Sequence, residues 1–163
     1  MKSHWFFLAV AVAIVAGGLF ACGKSDRGFI KAIERSAQIA STSTNPVVTV
    51  STLTDFPWDK LFVFGPYTPV QTIHAQLGFT WADAERTGIG SLDTFYLLVF
   101  VKDEKVVRHF KVPRRIGDFK GLETTNVFTP GNDTFDVKSV NAGTETRFDF
   151  WARPHGQSGS PSK

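Results

Sequence analysis

The sequence predicts an α+β domain: a mostly antiparallel sheet of about five strands, one main helix packed on it, and a further helix on the N-terminal side. Three observations predict it. Two runs, Leu61-Phe62-Val63-Phe64 and residues 95–101, are apolar on both faces, as interior strands are. One strong helix signature, from Thr68 to Gly78, lies between them. Stretches further on alternate apolar and polar residues with a period of two. With 16 Phe in 163 residues and 20% charged side chains, the chain has the material for a core and does not read as disordered. A net charge of +3 is too balanced for a nucleic-acid binder, and a single cysteine rules out an intrachain disulfide.

The chain opens MKSHWFFLAVAVAIVAGGLFAC. Lys2 precedes an apolar run over 5–20, small residues mark its end, and the only cysteine, Cys22, closes the segment. That order is an export signal, and the run is shorter than the roughly 20 residues a spanning helix prefers. Leu19-Phe20-Ala21-Cys22 resembles the lipobox of bacterial lipoproteins. The resemblance implies that residues 1–21 are a signal peptide, that the Cys22 thiol receives a diacylglyceryl group, and that the new amino terminus is acylated. At about 0.8 kcal/mol per buried CH₂, two or three such chains hold a protein firmly where one does not. Gly23, rather than an Asp, follows the cysteine, which in a cell with two membranes implies sorting to the outer one.

Gly23-Lys24-Ser25 makes a short tether, and Asp26 is placed to cap a helix starting at Arg27. Phe29, Ile30, Ile33, Ala37 and Ala40 recur at helical spacing. The stripe is thin and the polar side mixed in charge, which suits a helix docked on the domain, or a stalk, better than one lying on a membrane. Residues 41–46 (STSTNP) read as a linker, so 22–46 are anchor, tether, short helix and linker, and 47–152 the globular domain. Residues 47–51 are β-branched and form a first strand. After 61–64, Thr68 and Gln71 have capping-box spacing, with Pro69 at the first helical position. Val70, Ile73 and Leu77 share one side of that helix and Gly78 closes it. The stretch WDKLFVFGPYT is similar to one in small uncharacterised bacterial lipoproteins, a likeness that brings no activity with it.

Residues 81–86 read as a helical turn. Residues 94–102 are the clearest strand, with a turn at Asp103-Glu104-Lys105. The return strand, 106–112, places Val106, Arg108, Phe110 and Val112 on one face and Val107, His109 and Lys111 on the other. Residues 113–122 read as a basic loop. Phe135-Asp136-Val137 and residues 147–151 are later strands, Asn141-Ala142-Gly143 is turn chemistry, and 153–163 form a polar, disordered tail.

No HExxH, CxxC, phosphate-binding Gly-rich loop, calcium loop or GxSxG elbow occurs, and His74 and His109 stand alone. The expectation is therefore no metal, no cofactor, no nucleic acid and no catalytic residue. Asp55, Asp59 and Glu85 are the carboxylates an enzyme acting on cell-wall glycan would use, though local capping accounts for such residues far better. Two features are candidates for binding. One is the basic group Lys102, Lys105, Arg108, His109, Lys111, Arg114, Arg115 and Lys120, with Arg108, Lys111, Arg114 and Arg115 as its candidate binding residues, which suits anionic lipid, phosphate or an acidic partner, or else a solvated edge hairpin. The other is the aromatic set Phe56, Trp58 and Tyr67 beside Pro57 and Pro66, exposed for a partner's pocket or a sugar ring or, more commonly, buried in the core. The reading that follows is a non-enzymatic envelope lipoprotein, on the membrane through Cys22, that binds a protein or other envelope component. The alternative is an inhibitor or immunity lipoprotein that neutralises a toxin or hydrolase.

Overall fold

The two runs that are apolar on both faces lie in the middle layer of the molecule. The computed structural model describes residues 26–122, 126–142 and 145–153. The leader, Cys22, the tether, Gly143 and the tail beyond Arg153 lie outside the described residues.

Helix α1 (Asp26–Ser41) is followed by strand β1 (Val47–Thr49), a 3-10 turn (Val50–Leu53) and strand β2 (Lys60–Phe64). Helix α2 (Val70–Leu77) and a second 3-10 turn (Glu85–Thr87) precede β3 (Phe95–Lys102) and β4 (Lys105–Pro113). The remaining strands are β5 (Gly117–Lys120), β6 (Val127–Phe128), β7 (Thr134–Ala142) and β8 (Glu145–Ala152). The strands form two sheets of four, ordered β1-β7-β8-β5 and β4-β3-β2-β6. The α+β class stands. A single sheet of about five strands does not, because the alternating segments after residue 113 pair among themselves and with β1 instead of extending the β2–β3–β4 sheet.

The inner faces of the sheets pack on each other through Leu61, Phe100, Phe119, Phe128, Phe135 and Phe150. Helix α1 joins this core. Phe29, Ile33, Ala37 and Ala40 are buried, and the Phe29 ring stacks on Phe110 at 4.0 Å. It touches β1 and β7 of one sheet and β4 of the other, so it closes the sandwich on that side. On the far face of the second sheet, Phe62, Leu97 and Val99 pack under Ile73 of α2 and under Trp81 and Ile89 of the following loop. Strands β2 and β3 are covered on both sides, which is why they carry no polar face.

Three local features differ from the sequence expectation. Pro69, not Thr68, takes the N-cap position of α2, and Thr68 gives its hydroxyl to the Gly65 carbonyl at 2.7 Å, so α2 starts without a side-chain cap and the capping box does not form. At its other end Gly78 adopts φ 81° and its N–H reaches the His74 carbonyl, as a left-handed helix stop requires. In the hairpin, Phe100 pairs with Arg108 but Val101 with Val106, so β4 bulges between them. The bulge turns Val106 to the α2 side and breaks the expected shared face with Arg108 and Phe110. The basic loop 113–122 contains β5, which runs parallel to β8 from Gly117↔Phe148 to Lys120↔Trp151. That approach admits no side chain at Gly117: a Cβ there would lie 1.9 Å from the Phe148 carbonyl oxygen.

Candidate functional site

The candidate binding residues read from the sequence do not share one surface. Trp58 is buried; its indole N–H donates to the Thr54 hydroxyl at 3.1 Å and its ring meets Phe100 edge-on at 5.3 Å. Tyr67 is 60% exposed in a left-handed backbone conformation (φ 61°) at the turn into α2. The two aromatics therefore make no joint platform. Arg108 is half-buried on the face of β4 that carries Phe110 and looks towards α1. Lys111 lies on the opposite face with its ammonium over the Phe95 ring. Arg115 pairs with Glu34 of α1 at 3.5 Å. β4 is an edge strand, where lysines and a bulge discourage strand addition.

The carboxylates weighed for glycan chemistry are exposed. Asp59 braces the β3–β4 hairpin, accepting from the Asp103 N–H at 3.0 Å and from the Lys102 ammonium at 3.4 Å. Asp103 and Glu104 both take positive φ, 48° and 57°, so that brace steadies a tight turn usually built with Asn and Gly. The Asp103 N–H is the main reason the Asp59 carboxyl stays below its ordinary range.

Arg114 leads to a different place. Its guanidinium grips Asp118 of β5 with two bonds, Nε to Oδ1 at 2.7 Å and Nη2 to Oδ2 at 3.1 Å. Arg147 of β8 adds a bond to Oδ2 at 3.1 Å, and the Lys120 ammonium stands 3.7 Å from the same oxygen. Three cations thus converge on one carboxylate that is itself buried. The Arg114 bonds hold the Asp118 carboxyl below the ordinary range; burial opposes this, and the charges of Arg114, Lys120 and Arg147 add to it. In return Asp118 raises the Arg114 guanidinium. The buried Nε of Arg147 has no partner among the described residues.

Register explains the convergence. Side chains alternate along a strand, so Arg147, Asp149 and Trp151 share the outer face of β8. Pairing sets Asp118 beside Asp149 and Lys120 beside Trp151 on one flank, and Lys138 of β7 beside Asp149 on the other. The Lys138 ammonium lies 5.4 Å from the Trp151 ring centre. No element packs on this face among the described residues, and Trp151 and Val140 are each 40% exposed there. The spacing Arg-x-Asp-x-Trp over 147–151 carries that signal in the sequence; nothing local marks Asp118 as its other half.

Behind the cluster, Tyr96 and Phe119 line an open groove of about 340 Å³ rimmed by Thr68, Thr72, Gln76 and Asn126. The Tyr96 phenol is raised by burial first and then by the charge of Asp118, so groove and cluster are neighbours. A second groove of about 330 Å³ lies between the end of α1 and β1, beside the exposed Ile39. On the α2 side, Trp81 takes two histidines: His74 Nε2 lies 3.2 Å from its carbonyl and the His109 ring meets its indole at 5.0 Å. Among the described residues no three His, Cys, Asp or Glu side chains group to hold a metal, and no helix is long and apolar enough to cross a membrane. No family model, no curated protein and no solved structure matches this chain.

Proposed function

We propose that this chain is a lipid-anchored envelope protein, held through Cys22, that docks another envelope component on the outer face of the β1-β7-β8-β5 sheet and carries out no reaction of its own. The observation that supports the docking surface is the uncovered face itself. It sets a 40% exposed Trp151 among Lys120, Lys138 and Arg147. Tryptophan and arginine are the side chains that most often dominate binding energy, by pairing a large apolar area with directed donors. The basic hairpin and the Trp58–Tyr67 segment are the weaker choices. Arg108 and Lys111 point to opposite sides, and Trp58 is spent in the core.

The test has two parts. Envelope membranes are cross-linked with the full chain and with Trp151→Ala; the native chain should capture one dominant component, and the variant should lose it while keeping its circular dichroism. Fractionation of Cys22→Ser tests the anchor, which should leave the membrane fraction. Equal capture by native chain and variant removes the docking surface, and a Cys22→Ser chain still sedimenting with membranes removes the anchor.

A further inference from the structure

The same face names the chemistry of its ligand. We infer that Arg114, Lys120 and Arg147 form an oxyanion site, with Asp118 as the positioning residue that aims them, and that the group bound is a phosphate monoester on a sugar ring stacked against Trp151. The inference rests on the docking reading above.

Charge argues for phosphate. Among the residues whose side chains are described, the face carries the cations Arg114, Lys120, Lys138 and Arg147 against the carboxylates of Asp118 and Asp149. Asp93 stands further off, meeting Arg114 through its backbone carbonyl at 3.4 Å. Positive charge stays in excess among these groups even with Asp93 counted, which suits an anion, and a phosphate monoester, at about −1.5 to −2 near neutral pH, can engage more than one of the cations at once. Arg153 and Asp136 neutralise each other through a two-pronged pair, so they do not alter the balance.

Donors argue the same way. Asp118 uses the Nε and one Nη of Arg114 and one Nη of Arg147, and this fixes both planes. The other Nη of Arg147 and the Lys120 ammonium remain to be shared. Planar forks held in place lose little freedom on meeting a tetrahedral oxyanion. The sugar is argued from register: Lys120 and Trp151 are directly paired neighbours, so an anion held by the first lies beside the indole of the second. Sugar rings present the apolar face that an exposed indole covers.

The experiment titrates the full chain, in neutral detergent, with glucose 1-phosphate, inorganic phosphate, glucose and acetate at matched ionic strength. Nuclear magnetic resonance follows the Trp151 indole N–H and the Arg147 Nε–H. Glucose 1-phosphate should shift both saturably and bind about tenfold or more tightly than glucose or acetate. Lys120→Gln and Arg147→Gln should each weaken it by about tenfold, with circular dichroism and the Trp58 and Trp81 indole signals unmoved. No saturable shift, an equal response to acetate, or unchanged affinity in both variants would overturn the oxyanion site. Inorganic phosphate binding as tightly as glucose 1-phosphate would overturn the sugar. Binding to phosphatidylglycerol vesicles with no response to glucose 1-phosphate would assign the face to a membrane surface and overturn the inference. If the phosphosugar fails while Trp151-dependent capture persists, only this inference falls; if capture fails as well, the docking surface falls with it.

Discussion

Replacing Asp118 by Asn removes one charge and almost no volume. Three cations then face one another across an amide that can accept from only one of them well. The Arg114 bonds at 2.7 and 3.1 Å and the Arg147 bond at 3.1 Å use both carboxylate oxygens; the amide keeps only one acceptor oxygen, so at least one bond is lost and the rest lose the negative partner. Removing one partner from a fully buried ion pair costs about 3–5 kcal/mol. Here the carboxylate is buried, but the Arg114, Lys120 and Arg147 side chains keep 38%, 37% and 33% of their surface in water. Water screens the uncompensated cations, so the expected loss is about 2 kcal/mol. For a domain of this size that corresponds to a melting temperature lower by about 5–10 °C. The difference must also depend on pH. The Asp118 carboxyl is held below its ordinary value of 3.8 in the fold, so the unfolded chain takes up its proton first as the solution is acidified. The stabilisation is complete above that ordinary value and is lost as pH falls through the lower, folded value. Urea unfolding of the native chain and Asp118→Asn from pH 7 to pH 2 measures it. Equal stability at pH 7, or a gap that stays constant to pH 2, would refute the assignment of Asp118 as the charged hub.

Three further outcomes follow from the packing. Gly117→Ala should cost more than about 3 kcal/mol, since the new Cβ meets a backbone carbonyl that has nowhere to move; chemical denaturation of the variant checks it. Asp133→Ala should cost about 3 kcal/mol, because the buried Asp133 carboxylate accepts from the Ser51 and Gly131 backbone N–H groups and both lose their partner; a shift in the urea midpoint reads it. The His109 imidazole is held below its ordinary 6.5, by burial first, with Lys111 adding to the effect and Asp26 and Asp83 opposing it. The fold therefore favours the neutral ring: its contribution is full above about pH 6.5 and lost as pH falls through the lower folded value. His109→Gln should flatten the stability profile between pH 7 and pH 5, and an unchanged slope would count against the buried His109 imidazole as its origin.

What could be read in the sequence divides by how far apart the partners lie. Strands β2 and β3 were legible because both faces are buried, a property each run carries alone. Helix α1 was legible from Phe29, Ile33, Ala37 and Ala40, and α2 from the Ile73–Leu77 spacing and Gly78. Strand β5 was not. Gly-Asp-Phe-Lys has little strand character, and it is a strand because Phe148, Asp149, Phe150 and Trp151 run alongside it. The face of Val106 was misread because a bulge shifts the period of two by one residue, and no residue type announces it. The capping box failed because α2 starts one residue later than its spacing requires, with Pro69 at the N-cap in place of Thr68. Of the basic group singled out in the sequence, Arg114 and Lys120 enter the cluster. Asp118, which reads in the sequence as an acid diluting a basic loop, is the group that organises it.

Chain length bears on where that cluster would work. Cys22 precedes the first residue of α1, Asp26, by four positions, and four residues span at most about 14 Å however they are arranged. Glu34 lies eight residues further along α1, about 12 Å at the helical rise. It meets Arg115 at 3.5 Å, and the adjacent Arg114 grips Asp118. If Cys22 carries the lipid, the cations of the outer face are confined to a few tens of ångströms from the bilayer surface. That range extends past the thin headgroup layer to sugars carried above it, and a face tethered this way cannot travel further. Surface and anchor are thus separable in the test but not in their use. A longer tether would weaken docking by diluting the face over a larger volume, while leaving its affinity for the soluble phosphosugar untouched.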